Sequence, residues 1–505
     1  MKNSLAILSC GFVTVMASMC VGQTSLPRNT PESQGVSSTA LLELTNALDE
    51  QFDGIHSLMI ARNGSVIAEG WWTPYDAEHK HVLYSLSKSF TSTAVGFAVA
   101  EGKLTVDDRV VDFFPDDVPD DASANLKAMR VRDILTMTAG HETEPSASPI
   151  VVSAKSFLAN PVPHAPGTHF KYNTAATFMQ SAIVQKQTGE TILDYLGPRL
   201  FEPLDIEGPV WDTNFQGISL GGYGLRVRTE DIAKFGQLYL QKGMWNGKQL
   251  LPKEWIDLAT TKQVPNGSNP ESDWNQGYGF QFWRCRHNCY RGDGAFSQFC
   301  IVLPEHNTVV AITSGVGDMQ GVLNVLWDKL LPALQSSPDT EIAADASANE
   351  RLRERLANLS VKPAKGKDSS PLADRIFGHQ FKFAENDQKY SAVSVRSTEP
   401  NRITLSIEWD GRNLQVPAGY RKWERGRATL PGGGLTRLSD EPIAGTYAWT
   451  DDNTLVVKFC GYETPFHVTA KLNFQEDTVT FTTNFNVSFG PTEGNAIIGH
   501  LHPAR

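Results

Sequence analysis

The sequence predicts an α+β chain: an antiparallel sheet with flanking helices and a helical insertion, followed by an all-β C-terminal domain. Three observations predict it. Pairs of apolar runs split by turn residues open and close the first region, helical periodicity fills the space between them, and past residue 375 the pattern turns to alternation. Strands at both ends with helices between them describe one sheet carrying a large insertion.

The elements follow in chain order. Met1 and Lys2 precede an apolar run over 5–21, and small residues around Gly22 suit cleavage before Gln23, so 1–22 reads as an export signal peptide. Ser9, Thr14 and Ser18 dilute the run below what a spanning anchor needs, and Met19 before Cys20 is a poor lipoprotein match. The mature chain is therefore expected in the periplasm or outside the cell, with no transmembrane anchor. Runs at 58–61 and 66–72, punctuated by Asn63 and Gly64, read as a hairpin; a second pair covers 298–303 and 308–313, followed by a helix at 323–334. Between them lie helices at 85–100, 131–137, 175–188 and 229–241, the last with Thr229 as its N-cap.

Composition shifts near Gln335. Residues 336–374 read as a linker with a solvated helical stretch around Glu350 to Arg355, across which few contacts are expected. Strands are expected at 391–395, 403–409, 455–459 and 479–483, with Asp410 and Gly411 as a turn, making 375–505 an all-β accessory domain after a first domain at 23–335. A chain of 505 residues exceeds what one core usually supports, in keeping with that division.

Charge narrows the function classes. Charged residues make up 20% of the chain, the net charge is -11 and no basic run occurs, so neither nucleic acid nor an anionic membrane is the expected partner. A small-molecule or peptide substrate is, without a cofactor. Four cysteines follow the leader, Cys285, Cys289, Cys300 and Cys460. Cys285, His287 and Cys289 have metal-ligand types at close spacing but lack a second pair, so a disulfide or free thiols are expected and no metal site.

The chemistry centres on Ser85 and Lys88, an S-x-x-K motif at the start of the 85–100 helix. One helical turn sets the two side chains on one face, where the amine can take the hydroxyl proton. To do so near neutral pH its pKa must fall by about three units, and the apolar residues after it make burial the means. The motif alone is weak, since chance supplies it roughly once or twice in a chain of this length.

The surrounding segments add to it. Residues 84–113, YSLSKSFTSTAVGFAVAEGKLTVDDRVVDF, and 132–140, RDILTMTAG, resemble the active-site helix and following segments of class C β-lactamases and related esterases. Residues 166–174, PGTHFKYNT, resemble the segment carrying the Y-x-N motif, and 222–255 resembles the branch that includes 6-aminohexanoate-dimer hydrolases and family VIII esterases. Together these liken 31–334 to the serine hydrolases of the β-lactamase and penicillin-binding-protein superfamily. The resemblance implies Ser85 as acylating nucleophile, Lys88 as its base and Tyr172 as a proton shuttle with a phenol pKa lowered by the ammonium. It further implies the amides of Ser85 and Ala295 as oxyanion hole, and Asn173, Thr174, Asp293 and Gly294 at the substrate. Two departures stand out: Thr174 replaces the Asn of Y-x-N, and the strand segment Arg291, Gly292, Asp293, Gly294 lacks the lysine of the K-T-G motif. Without that cation, short-chain neutral esters or amides are expected to outrun carboxylate-bearing β-lactams unless Arg291 turns inward.

Rival readings remain. Gly217 to Gly221 matches the G-x-S-x-G elbow around Ser219, but neither a strand before it nor a helix directly after it is expected. The RGD tripeptide at 291–293 falls on the expected site strand rather than on an adhesion loop. A non-catalytic penicillin-binding-like sensor is the alternative to an acyl-serine hydrolase of esters, amides or D-amino-acid peptides.

Overall fold

A computed structural model describes residues 25–334, 341–430 and 439–502; the expected leader at 1–22 and the residues at 335–340 lie outside them. Six strands form an antiparallel sheet in the order Ser65–Trp71, Ile55–Arg62, Thr308–Ser314, Gln298–Leu303, Tyr290–Gly294, Trp283–Arg284. The two expected hairpins meet in its middle, where Leu58 faces Ile312 and Ile60 faces Val310. Asn63 and Gly64, at φ 53° and 77°, make the tight turn of the first.

Every residue of Ile55–Arg62 is buried because helices cover both faces of the sheet. Side chains alternate across a strand. Leu58 and Ile60 therefore join a core with Leu41, Leu44 and Leu323, and Met59 and Ala61 join a second with Phe90, Phe178 and Phe235. The second holds the inserted helices Ser87–Ala100, Thr174–Thr188 and Thr229–Leu240. Thr229 is not a cap as expected but the first helical residue. Arg228 precedes it, its N–H donating to Asp231 Oδ2 at 2.8 Å, while Thr229 Oγ1 bonds Ser57 Oγ.

The linker differs from the expectation. Its helix, Ala346–Ala357, is not solvated all round: Ala348, Leu352 and Leu356 recur every four residues and are buried, the two leucines in the core under the sheet. Arg355 Nε donates to Asn46 Oδ1 at 2.8 Å on the helix Ser38–Gln51.

Ten strands from Gln380–Phe383 to Ile497–His502 then form an antiparallel β-barrel. First and last strands pair, Phe381 opposite Leu501, and a short parallel contact of Gly419 with Thr446 closes the ring. All four strands expected here fall inside observed ones, and Asp410 and Gly411 turn Arg402–Trp409 into Arg412–Tyr420. The barrel is not a loosely tethered appendage. Val82, Tyr84 and Phe296 belong to its apolar core, and Trp423, Ala444, Cys460 and Tyr462 belong to the core under the sheet. Many contacts thus cross the boundary where few were expected. Among the described residues no helix is long and apolar enough to cross a membrane.

Candidate active site

Ser85 lies in a 3-10 turn, Tyr84–Leu86, that leads into Ser87–Ala100. Tyr84 holds φ at 46°, a conformation non-glycine residues adopt rarely and one that marks functional turns. Neighbouring hydrogen bonds fix the turn: Leu83 N–H donates to Leu225 O at 2.8 Å, Leu225 N–H to Ser87 Oγ at 3.2 Å, and Ser89 Oγ–H to Gln281 O at 2.9 Å. On its other side Gly294 comes so near that a Cβ there would stand 2.0 Å from Leu83 O. The end of the strand Tyr290–Gly294 is thereby pressed against the turn that carries Ser85.

Lys88 is 1% exposed, with Nζ 3.0 Å from Ser85 Oγ; it donates to Gly222 O at 2.8 Å and to Thr174 Oγ1 at 3.4 Å. A Cβ on Gly222 would collide with Thr174 Cγ2 at 2.5 Å, so glycine is what lets that carbonyl reach the amine. Burial brings the lysine pKa down to about 7, against the opposing pull of Glu144 and Asp293. Lone-pair availability near neutral pH is the consequence.

Tyr172 packs its ring 4.9 Å from Lys88 Nζ and stacks on Trp283 at 5.5 Å. Its phenol shares a hydrogen bond with Ser85, yet burial and then Asp293 drive its pKa upward. This corrects the expected lowering: the phenol keeps its proton at neutral pH.

The remaining expected residues divide. Thr174 and Ala295 line the same cavity as Ser85. Asn173 does not face it: 1% exposed, it caps the helix Thr174–Thr188, Oδ1 accepting from Ala176 N–H at 2.9 Å. Its amide oxygen is taken by the cap, and its Nδ2 lies 3.3 Å from His141 Nδ1. Asp293 is likewise engaged internally, Oδ2 accepting from Arg291 Nε at 3.0 Å and lying 2.9 Å from its Nη2. Arg291 is fully buried, donates from Nη1 to Asp273 O at 2.8 Å and packs 4.3 Å from the Trp274 ring. It does not turn inward to supply the missing cation.

Ser219 is buried, and its carbonyl accepts from Ser181 Oγ at 2.7 Å in a loop bridged to Thr213. Lys88 reaches this loop at Gly222 O, not at Ser219. Cys285, Cys289, Cys300 and Cys460 are free, buried thiols, and Cys285 Sγ meets Arg291 Nη1 at 3.0 Å in place of a bridge. One group among the described residues could hold a metal ion, Glu142, His164 and His169, with ligand atoms within 4.8 Å of one another, and none of the three contacts Lys88.

Sequence reasoning missed two contributors. Glu144 accepts from Thr174 N–H at 2.5 Å and acts electrostatically on Lys88; it belongs to no motif, and nothing in its spacing marks it. The other is the barrel. A cavity of about 640 Å³ opens on Ser85, and Phe459, Phe466, Phe485, Val487 and Phe489 form its far wall. The arrangement can activate a hydroxyl, keep a phenol as proton donor, and cover the reacting atom with apolar surface.

A Beta-lactamase family profile matches residues 48–319. An uncharacterized protein of Alkalihalophilus pseudofirmus is 24% identical over 348 residues, 57% of this chain and 96% of that protein. The 6-aminohexanoate-dimer hydrolase of Paenarthrobacter ureafaciens is 23% identical over 276 residues, 48% of this chain and 68% of that enzyme. A solved structure from Bacillus anthracis, provisionally named a 6-aminohexanoate-dimer hydrolase, shares the fold at a TM-score of 0.52 and 17% identity, covering 62% of this chain and 88% of that one.

Proposed function

Because the chain belongs to the Beta-lactamase family, a family of hydrolases, we propose that it is an exported serine hydrolase working through an acyl-serine intermediate on esters, amides or D-amino-acid peptides. The observation that carries this reading is the buried Lys88 amine, its pKa near 7, 3.0 Å from Ser85 Oγ.

Ser85 Oγ attacks the substrate carbonyl carbon as its proton passes to Lys88 Nζ. The amides of Ser85 and Ala295 receive the charge that develops on the carbonyl oxygen. When the bond to the leaving group breaks, that group takes a proton from the Tyr172 phenol, which is restored from Lys88. Water then attacks the acyl carbon, the pair accepts its proton, and Ser85 leaves as the hydroxyl. The protonated phenol and neutral-poised amine are the two states this sequence requires at its start.

The test is covalent labelling by a fluorophosphonate together with turnover of a panel of p-nitrophenyl esters, D-aminoacyl amides and a chromogenic cephalosporin. Ser85→Ala is expected to lose both labelling and turnover, and Ser219→Ala to keep them. Labelling retained in Ser85→Ala sinks the assignment, and labelling without turnover of any panel member favours the sensor.

A further inference from the structure

We propose that the β-barrel supplies a specificity pocket for an apolar acyl group longer than butyryl, carried by a neutral ester or amide. The inference rests on the reading of Ser85 as nucleophile given above.

The cavity over Ser85 has two unlike walls. Ser85, Thr174, Tyr223 and Ala295 form the wall around the reacting centre, whereas the barrel contributes chiefly phenylalanine and valine. Its volume of about 640 Å³ falls in the range of small-molecule pockets and exceeds what an acetyl or butyryl group fills. The apolar surface runs on without a break into the nucleophile turn: Tyr84 meets Phe296 at 5.8 Å and Phe489 at 5.4 Å, and Phe296 meets Phe489 at 4.8 Å. Phe489 remains 65% exposed, a large apolar side chain at the rim of the site. Such surface is stabilised by an apolar ligand that removes it from water.

Charge argues the same way. None of the described residues lining the cavity carries a charge, and Arg291 is committed to Asp293. A carboxylate drawn into this space loses its water and gains no cation. A peptide fares little better, since its amides find few polar partners along the barrel wall.

The decisive measurement uses the full chain and p-nitrophenyl esters from acetate to dodecanoate. We expect kcat/KM to rise about fourfold per added methylene, the factor that burying one CH2 supplies, up to roughly octanoate. A p-nitrophenyl monoester of octanedioic acid, with a carboxylate at the chain end, should react at least about tenfold more slowly than octanoate. Phe489→Asp, at an exposed position where folding tolerates the change, should lower the octanoate-to-butyrate ratio by about tenfold. A flat or falling series, or a ratio unmoved in Phe489→Asp, overturns the acyl pocket even if the fluorophosphonate labels Ser85. Absence of that labelling in the unaltered protein overturns the nucleophile reading and this inference with it.

Discussion

Arg226 Nη1 stands 2.9 Å from Glu441 Oε2 in a seam where the two side chains are 6% and 7% exposed. Arg226 belongs to the strand Leu225–Val227, whose Leu225 carbonyl holds Leu83, two residues before Ser85. Glu441 opens the barrel strand Glu441–Trp449. Burial raises the Glu441 carboxyl pKa and Arg226 works against that rise. Arg226→Met strands a buried carboxylate and is expected to cost about 3–5 kcal/mol in denaturant unfolding, while the apolar pair Arg226→Met with Glu441→Leu should regain most of it. Equal stability of the single and double variants would show that a stranded Glu441 carboxylate is not what destabilises the single variant.

The pH dependence follows from Lys88. Its pKa of about 7 means that the reactive neutral amine gains as pH rises through that value, so kcat/KM should climb with an acid limb near pH 7. Glu144 pulls the lysine pKa upward. Glu144→Gln keeps an oxygen for Thr174 N–H and removes the charge, so it should move the limb to lower pH. A limb unmoved in that variant would assign the titration to another group.

Tyr172→Phe preserves the ring that stacks on Trp283 and faces Lys88. Only the hydroxyl bonded to Ser85 is lost. We expect kcat to fall by about 10²- to 10⁴-fold with little change in KM, the range for removing a positioned proton donor. Steady-state kinetics within twofold of the parent chain would reduce Tyr172 to packing.

Local signals in the sequence carried much of this architecture. Asn63 and Gly64, or Asp410 and Gly411, announce hairpins because the turn itself demands positive φ, and Ser85 with Lys88 needs only one helical turn to meet. What stayed hidden depends on distant chain. Arg226 and Glu441 lie 215 residues apart, and the phenylalanines over Ser85 come from residues 459–489. Asn173 looked free to meet substrate because its neighbour Ala176, whose N–H it caps, carries no polar side chain to hint at the contact. The fate of Arg291 turned on Asp293 two residues along the strand, a pairing visible only once both side chains share a buried face.

A second seam contact makes stability fall in acid. His56 Nδ1 lies 3.1 Å from His81 Nε2, and His56 Nε2 lies 3.1 Å from Nε2 of His467 on the barrel. His81 Nδ1 faces Val82 O, so it carries the hydrogen there, leaving Nε2 to accept from His56 and His56 Nε2 to accept from His467. Each imidazole then holds one proton, and an added proton on His56 would set two N–H groups against each other. Burial above all holds His81 at about 4 and His467 at about 3, with His56 well below its ordinary value. Lys458 further disfavours charge on His467 and Arg226 on His81, while Asp53 opposes on His467. The unfolded chain thus binds more protons than the folded one below the ordinary imidazole value of about 6.5. The contribution is whole above that pH and is lost as pH falls toward 4, at about 1.4 kcal/mol per pH unit for each proton taken up. Denaturant midpoints between pH 8 and pH 4 check it. His56→Phe, which keeps a ring against Tyr75, should be less stable at pH 8 yet decline less steeply in acid. Parallel declines in the two proteins would place the acid sensitivity outside the histidine seam.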